Sequence, residues 1–167
     1  MLRFTYTAAN ESDTEVLGAA LAVALPERGV LALVGTLGAG KTRLVQALAV
    51  ACGVPRESVV SPTFVLAHEH HGQRTIHHLD AYRLQDDDEF LALGPEEYFA
   101  ADALTVIEWA DRVAACLPKE RLEIFIQETG PTSRRFEVTA FGKLYEAAVE
   151  RLLAWQARAE EGGQESP

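Results

Sequence analysis

The chain has 167 residues and a mass of 18.2 kDa, enough for one domain, and its 48% hydrophobic content can fill a single core. A formal net charge of −10 repels other polyanions and disfavours unaided binding to nucleic acid, so any connection to RNA has to run through a partner protein. Cys52 and Cys116 show no CxxC spacing and no adjacent histidine pair, and read as small buried or half-buried thiols.

The amino terminus, MLRFTYTAAN, lacks a charged start leading into an apolar run, and no apolar stretch reaches the ~18 residues needed to span a bilayer. A cytoplasmic protein with no membrane association is expected. Ser12 and Glu15 have capping-box spacing, and Val16, Leu17, Ala20, Leu21 and Ala24 follow at helical intervals. The spacing predicts a helix from near Ser12, ended by Pro26 and Gly29. Val30 to Val34 is an uninterrupted apolar run, the pattern of a strand buried on both faces. The glycine-rich segment Gly35 to Thr42 follows at once, and a helical pattern resumes through Leu44, Val45, Leu48 and Ala49 until Gly53.

Phe64 to Glu69 and Thr75 to Asp80 read as two strands joined by a turn at His71-Gly72. Asp86 can cap a short helix that Gly94 ends, and Pro95 suits the first turn of another through Phe99. Leu104 to Ile107 is a further apolar strand that delivers Glu108 at its carboxyl end. Two alternating segments, Leu122 to Gln127 and Phe136 to Ala140, flank the turn Gly130-Pro131 and predict a hairpin at a sheet edge. Lys143 to about Ala159 closes the fold as an amphipathic helix, and EEGGQESP from Glu160 to Pro167 reads as a disordered tail. The expectation is one α/β domain over residues 1–159 with a P-loop NTPase fold. Its sheet is mixed and mostly parallel, with helices on both faces and an antiparallel edge hairpin.

The chemistry begins with GTLGAGKT at Gly35 to Thr42, which satisfies GxxxxGK[ST] between a strand and a helix. Glycines at 38 and 40 let successive N–H groups turn toward phosphate oxygens, and the following helix presents its positive end. Lys41 should reach the β and γ phosphates, and the Thr42 hydroxyl should hold Mg²⁺. Such a loop needs a carboxylate for the metal, and Asp80 and Glu108 both end strands where ligands collect. Taken singly, either could be a solvated acid at a loop edge. Ser61-Pro62-Thr63-Phe64 stands where nucleotide switches carry a hydroxyl. His77 and His78 point to opposite faces of their strand, His68, His70 and His71 fall on an exposed hairpin, and all five read as structural. Trp109 alone reads as core packing.

Taken together, GTLGAGKT, SPTF at Ser61 to Phe64, HLDAYRL at His78 to Leu84 and IEWAD at Ile107 to Asp111 resemble the bacterial TsaE family, formerly YjeE, over roughly residues 8 to 142. The resemblance implies an ATPase needed for threonylcarbamoyladenosine (t6A) modification of tRNAs that read codons beginning with adenine. In that pathway the TsaD–TsaB pair transfers the group, and TsaE supports repeated turnover without touching tRNA itself. By motif, the resemblance places Leu37, Gly38, Ala39, Gly40, Lys41 and Thr42 on the ATP phosphates and gives Thr42 and Glu108 to Mg²⁺. It sets Asp80 near the γ phosphate or its water and makes Thr63 the switch hydroxyl. It also implies an adenine pocket of Glu11, Asp111 and Thr132 or Arg134. Two other classes share the loop: a small-metabolite or nucleoside kinase, which would add an arginine-bearing lid, and a nucleotide-gated binding module without hydrolysis.

Overall fold

The computed structural model describes residues 1–162. Strand β2 (Gly29–Val34) sits at the centre, paired parallel to β5 (Leu104–Glu108) on one side and to β6 (Arg121–Glu128) on the other. Beyond β5 comes β4 (Thr75–Asp80), parallel to it, and then β3 (Ala67–His71), antiparallel, at one edge. Beyond β6 comes its hairpin partner β7 (Arg134–Phe141). The outermost place on that side belongs to β1 (Arg3–Ala8), which pairs antiparallel with β7 and gives the order β1-β7-β6-β2-β5-β4-β3. Strand β1 adds to the strands expected, so the hairpin predicted for the edge lies one strand further in.

The apolar run of β2 is explained by two cores. Leu31 and Leu33 face a core closed by α1 (Glu11–Ala24), α2 (Lys41–Ala51) and α5 (Lys143–Gly162), while Val30 and Ala32 face a smaller one. Phe90 of α3 (Asp87–Leu91) and Val113 of the 3-10 segment Ala110–Cys116 close that second core, with Tyr98 and Phe99 of α4 (Pro95–Ala100) packed against it. Helices on both faces satisfy the parallel strands. Among the described residues, no helix is long and apolar enough to cross a membrane. Cys52 is buried and Cys116 half-buried, both free.

Several local expectations shift for identifiable reasons. Asn10, not Ser12, caps α1: its Oδ1 accepts from Asp13 N at 3.1 Å, while Asp13 Oδ2 accepts from Ala9 N at 2.8 Å. This resembles a capping box displaced two residues upstream, with the return bond reaching Ala9, the residue before the cap. The strand expected from Phe64 starts at Ala67 instead. Pro62 O accepts from Val65 N and Leu66 N, curling the segment into a turn that ends with Leu66 at φ 69°. Helix α5 runs three residues past Ala159, through Glu160, Glu161 and Gly162, and the rest of the expected tail lies outside the described residues.

The last turn of α1 contains no basic residue, yet its end is capped from elsewhere in the fold. Arg74, on the β3–β4 turn, donates to Ala22 O at 3.0 Å, to Pro26 O and to Glu27 O at 3.0 Å, and Arg151 of α5 donates to Ala24 O at 2.8 Å. Cations thus meet the negative end of the helix dipole. Helix α1 packs closely on α2 at Gly18, where an added Cβ would stand 2.5 Å from Ala47 Cβ and 2.7 Å from the Ala47 carbonyl carbon. A side chain there must push two helix backbones apart. We expect Gly18→Val to cost on the order of 3 kcal/mol by overpacking, lowering the Tm by roughly 6–12 °C in a thermal melt.

Of the histidines expected on an exposed hairpin, His71 is exposed but His68 and His70 are not. His77 and His78 do take opposite faces, with His77 edge-on to Tyr98 at 5.2 Å between ring centroids. His70, however, is 5% exposed, because it shares the inner face of the edge strands with His78, 5.7 Å away, and with His68, 6.0 Å away. Burial, followed by the neighbouring imidazoles of His78, His68 and His71, lowers the His70 pKa to about 4. Unfolding lets this residue bind a proton that the fold refuses. Its contribution is therefore complete above the unfolded pKa of about 6.5 and is lost as pH falls toward 4. Urea titrations at pH 7 and pH 5 should show a loss of stability for the wild type that His70→Phe reduces.

Candidate functional site

Parallel pairing brings three strand ends together. Leu33 of β2 lies opposite Glu108 of β5, which lies opposite Asp80 of β4, so both carboxylates project on the face covered by α2. The loop Gly35–Gly40 leaves β2 at this point and feeds α2. Gly38 and Gly40 adopt φ of 80° and 105°, values that a residue with a Cβ rarely takes, and Gly40 is the N-cap of α2. The turn of loop N–H groups and the positive end of α2 make an anion cradle.

Lys41 is 4% exposed and folds back under this loop, its Nζ donating to Gly35 O at 2.7 Å and Thr36 O at 2.9 Å. The Trp109 ring covers the ammonium, with Nζ 3.6 Å from the ring centroid. Burial pulls the Lys41 pKa down, opposed by the charges of Glu108, Asp111 and Asp80. Trp109 thus packs against the smaller core, as its sequence position suggests, and also covers the lysine, and it takes the left-handed φ of 57° directly after Glu108. Tyr82 packs on it at 4.9 Å.

Glu108 is 2% exposed and held from two sides. The Thr42 hydroxyl donates to its carboxylate, 2.9 and 3.0 Å from the two oxygens, and His78 Nε2 lies 2.7 Å from Oε1. An ionised carboxylate only accepts, so against such a group His78 would present its proton on Nε2. Asp80 is organised by the preceding switch-like segment. Thr63 Oγ1 donates to Asp80 Oδ2 at 2.8 Å, Ser61 Oγ is 2.7 Å from Thr63 Oγ1, and Tyr82 N donates to Asp80 Oδ1 at 2.8 Å. Among the described residues no three His, Cys, Asp or Glu side chains gather as a metal centre. The hard oxygens of Thr42, Glu108 and Asp80 instead fit a cation that takes most of its ligands from phosphate and water, as Mg²⁺ does.

Two depressions meet at the loop. One, of about 290 Å³, is lined by Leu37, Lys41, Thr42, Thr63, Asp80 and Glu108 among others. The second, of about 570 Å³, is lined by Asn10, Glu11, Pro131, Thr132, Arg134 and Phe136 among others, and both share Gly38, Gly40 and Arg43. Glu11, Thr132 and Arg134 therefore line the same depression. Asp111 lines neither depression, because the 3-10 turn after Trp109 carries it to the lysine side, where its charge acts on Lys41.

Ala39 and Arg134 have a different relation from the one their positions suggested. Ala39 is buried, and its carbonyl accepts from Arg134 Nε at 2.9 Å, while Arg134 Nη1 donates to Gly130 O and Ser133 O. Arg134 braces the loop from behind, which directs those carbonyls away from the anion cradle. Arg43, which pairs with Glu11 and borders both depressions, carried no signal beyond its place after the GKT triplet. The contacts of Ser61 with Asp80, at 3.3 Å, and of His78 with Glu108 join residues distant in sequence, which no local spacing reveals.

The family model described as "Threonylcarbamoyl adenosine biosynthesis protein TsaE" matches residues 8–136. The tRNA threonylcarbamoyladenosine biosynthesis protein TsaE of Bacillus subtilis is 35% identical over 153 residues, 91% of this chain and 95% of that protein. Its namesake from Treponema pallidum is 36% identical over 126 residues, covering 75% and 93%. The crystal structure of Bacillus subtilis YdiB superposes with a TM-score of 0.78 at 29% identity, covering 93% of this chain and 97% of that one. By sequence along most of its length, and by a fold that matches a solved structure, the chain belongs to the TsaE family of threonylcarbamoyl adenosine biosynthesis proteins.

Proposed function

We propose that the chain is a slow, Mg²⁺-dependent cytoplasmic ATPase of tRNA t6A modification that supports repeated turnover by the TsaD–TsaB pair and meets tRNA only through those partners. The observation that carries this reading is the convergence of the Gly35–Thr42 loop, the Thr42 to Glu108 contact and the Asp80 carboxylate at three adjacent strand ends.

In this reading the phosphates of ATP lie against the loop N–H groups, and Lys41 exchanges the carbonyls of Gly35 and Thr36 for phosphate oxygens. Thr42 and Glu108 hold Mg²⁺, whose charge offsets that of the phosphates. Asp80 orients a water toward the γ phosphate, with Thr63 as the hydroxyl that senses it. The base enters the larger depression, where Glu11 and Thr132 edge the opening and Arg134 shapes its wall.

Slow turnover follows from how the arginines near the site are engaged. Arg43 pairs with Glu11, Arg83 stacks on Phe64 at 4.2 Å, and Arg134 serves the loop carbonyls. Each is committed elsewhere, so a partner that brings a cation has something to add. Phe64 is 81% exposed beside Thr63, so a hydroxyl that tracks the γ phosphate is joined to a surface a partner can touch. Loss of that phosphate would release the segment and change the surface.

Lys41→Ala should weaken ATP binding by about 1.5–3 kcal/mol, the range for a hydrogen bond to a charged group, which equilibrium dialysis would read as a roughly ten- to hundred-fold loss. The main test is ATP hydrolysis by the purified chain with and without TsaD–TsaB, alongside tRNA modification over several turnovers. We expect partner-stimulated hydrolysis that Glu108→Ala abolishes together with multiple turnover. ATP consumption matched to a phosphorylated metabolite would replace this reading with a kinase, and rapid hydrolysis without partners would contradict it.

A further inference from the structure

His78 has no part in the chemistry above, yet it touches the one carboxylate on which the cation site depends. It lies two residues before Asp80 on β4, opposite Val106 of β5, and therefore on the same face as Glu108. Its ring is fully buried, and Glu108 is its polar partner. The other ring nitrogen, Nδ1, finds none among the described residues.

A core position facing Val106 and Ile76 could be filled by an apolar side chain without leaving a buried nitrogen unpaired, which carries a desolvation penalty. Packing alone therefore does not account for an imidazole here. The ring is also restrained, since His70 packs against it in a tilted arrangement, centroids 5.7 Å apart, and is itself backed by His68 at 6.0 Å. The Nε2 donor is thus aimed at Glu108 Oε1 by the sheet and by the neighbouring rings, not by a flexible side chain.

We propose that His78 is a positioning residue for the cation site, its Nε2–H fixing the Glu108 carboxylate in the orientation that meets Thr42. This rests on the nucleotide and Mg²⁺ reading given above. Thr42 holds the same carboxylate, but its hydroxyl is also called on by the cation. His78 is the contact that stays when the cation arrives. Without it, Glu108 has to be ordered by the incoming ion, and the ordering is drawn from the binding energy.

The test compares wild type, His78→Leu and His78→Gln by two measurements that do not depend on turnover. One is binding of a non-hydrolysable ATP analogue in EDTA. The other is binding of Mn²⁺ to the analogue complex, with free Mn²⁺ counted by electron paramagnetic resonance. The leucine variant should bind the metal-free analogue within about twofold of wild type but Mn²⁺ roughly ten- to hundred-fold more weakly, the usual range for losing a residue that orients a ligand. The glutamine variant, whose amide nitrogen can reach the Nε2 position, should recover most of that loss. A folded leucine variant with wild-type Mn²⁺ affinity, or a folded glutamine variant as weak as leucine, would overturn the proposal. If the leucine variant does not fold, nitrogen-15 spectra of the wild type decide the matter: a proton on Nε2 with Nδ1 bare is expected, and the opposite tautomer rules the contact out. Failure of wild type to bind Mn²⁺ with the analogue would instead overturn the cation site itself, and this inference with it.

Discussion

A carboxylate that is nearly solvent-free has to be matched by donors, because an unpaired buried charge costs several kcal/mol. Glu108 sets that demand, and much of the architecture answers it. Thr42 can reach it only because α2 starts where β2 ends, and His78 only because β4 pairs parallel with β5. The order of the three inner strands is thereby tied to one side chain. The polar constellation and the hydrophobic sheet are the same construction seen from two sides.

The loop is balanced in a similar way. Lys41 is buried among backbone carbonyls and an indole face, with three carboxylates close enough to favour its charge. Arg134 holds the loop carbonyls on the far side, so the hairpin β6–β7 contributes to the cradle although it supplies none of the loop's own residues. Left-handed backbone at Trp109 and Leu66 marks the two places where the chain turns sharply beside the carboxylates. Such conformations persist where the surroundings over-determine them.

What could be read from the sequence was whatever is local. The loop glycines, Lys41 and Thr42 announce themselves in eight residues, and the apolar runs of β2 and β5 place Glu108 at a strand end without any knowledge of pairing. Strand β1 does alternate, with Phe4, Tyr6 and Ala8 inward against Arg3, Thr5 and Thr7, but it is six residues long, has no turn signal joining it to a neighbouring strand, and pairs with β7 at the other end of the chain. His70 and His78 looked like exposed or merely structural residues because burial on an edge strand depends on which face the neighbouring strand covers. Asp111 was placed in the base pocket by its motif, whereas a 3-10 turn, which the motif does not encode, directs it to the lysine. Arg74 and Arg151 cap a helix more than forty residues away in the chain, and no spacing rule anticipates that.

The position of β1 bears on how the molecule is made. Arg3 faces Thr139 and Ala8 faces Arg134 across the outermost ladder. On the ribosome, β1 therefore emerges well before β7, the strand that pairs its backbone. Central β2 meets β5 and β6 earlier, and the parallel heart of the sheet can assemble while the amino-terminal segment is still unpaired. Closing contacts so distant in sequence is slow for entropic reasons. In a nascent chain of this protein, β1 is the strand whose backbone stays unpaired longest, until β7 has emerged.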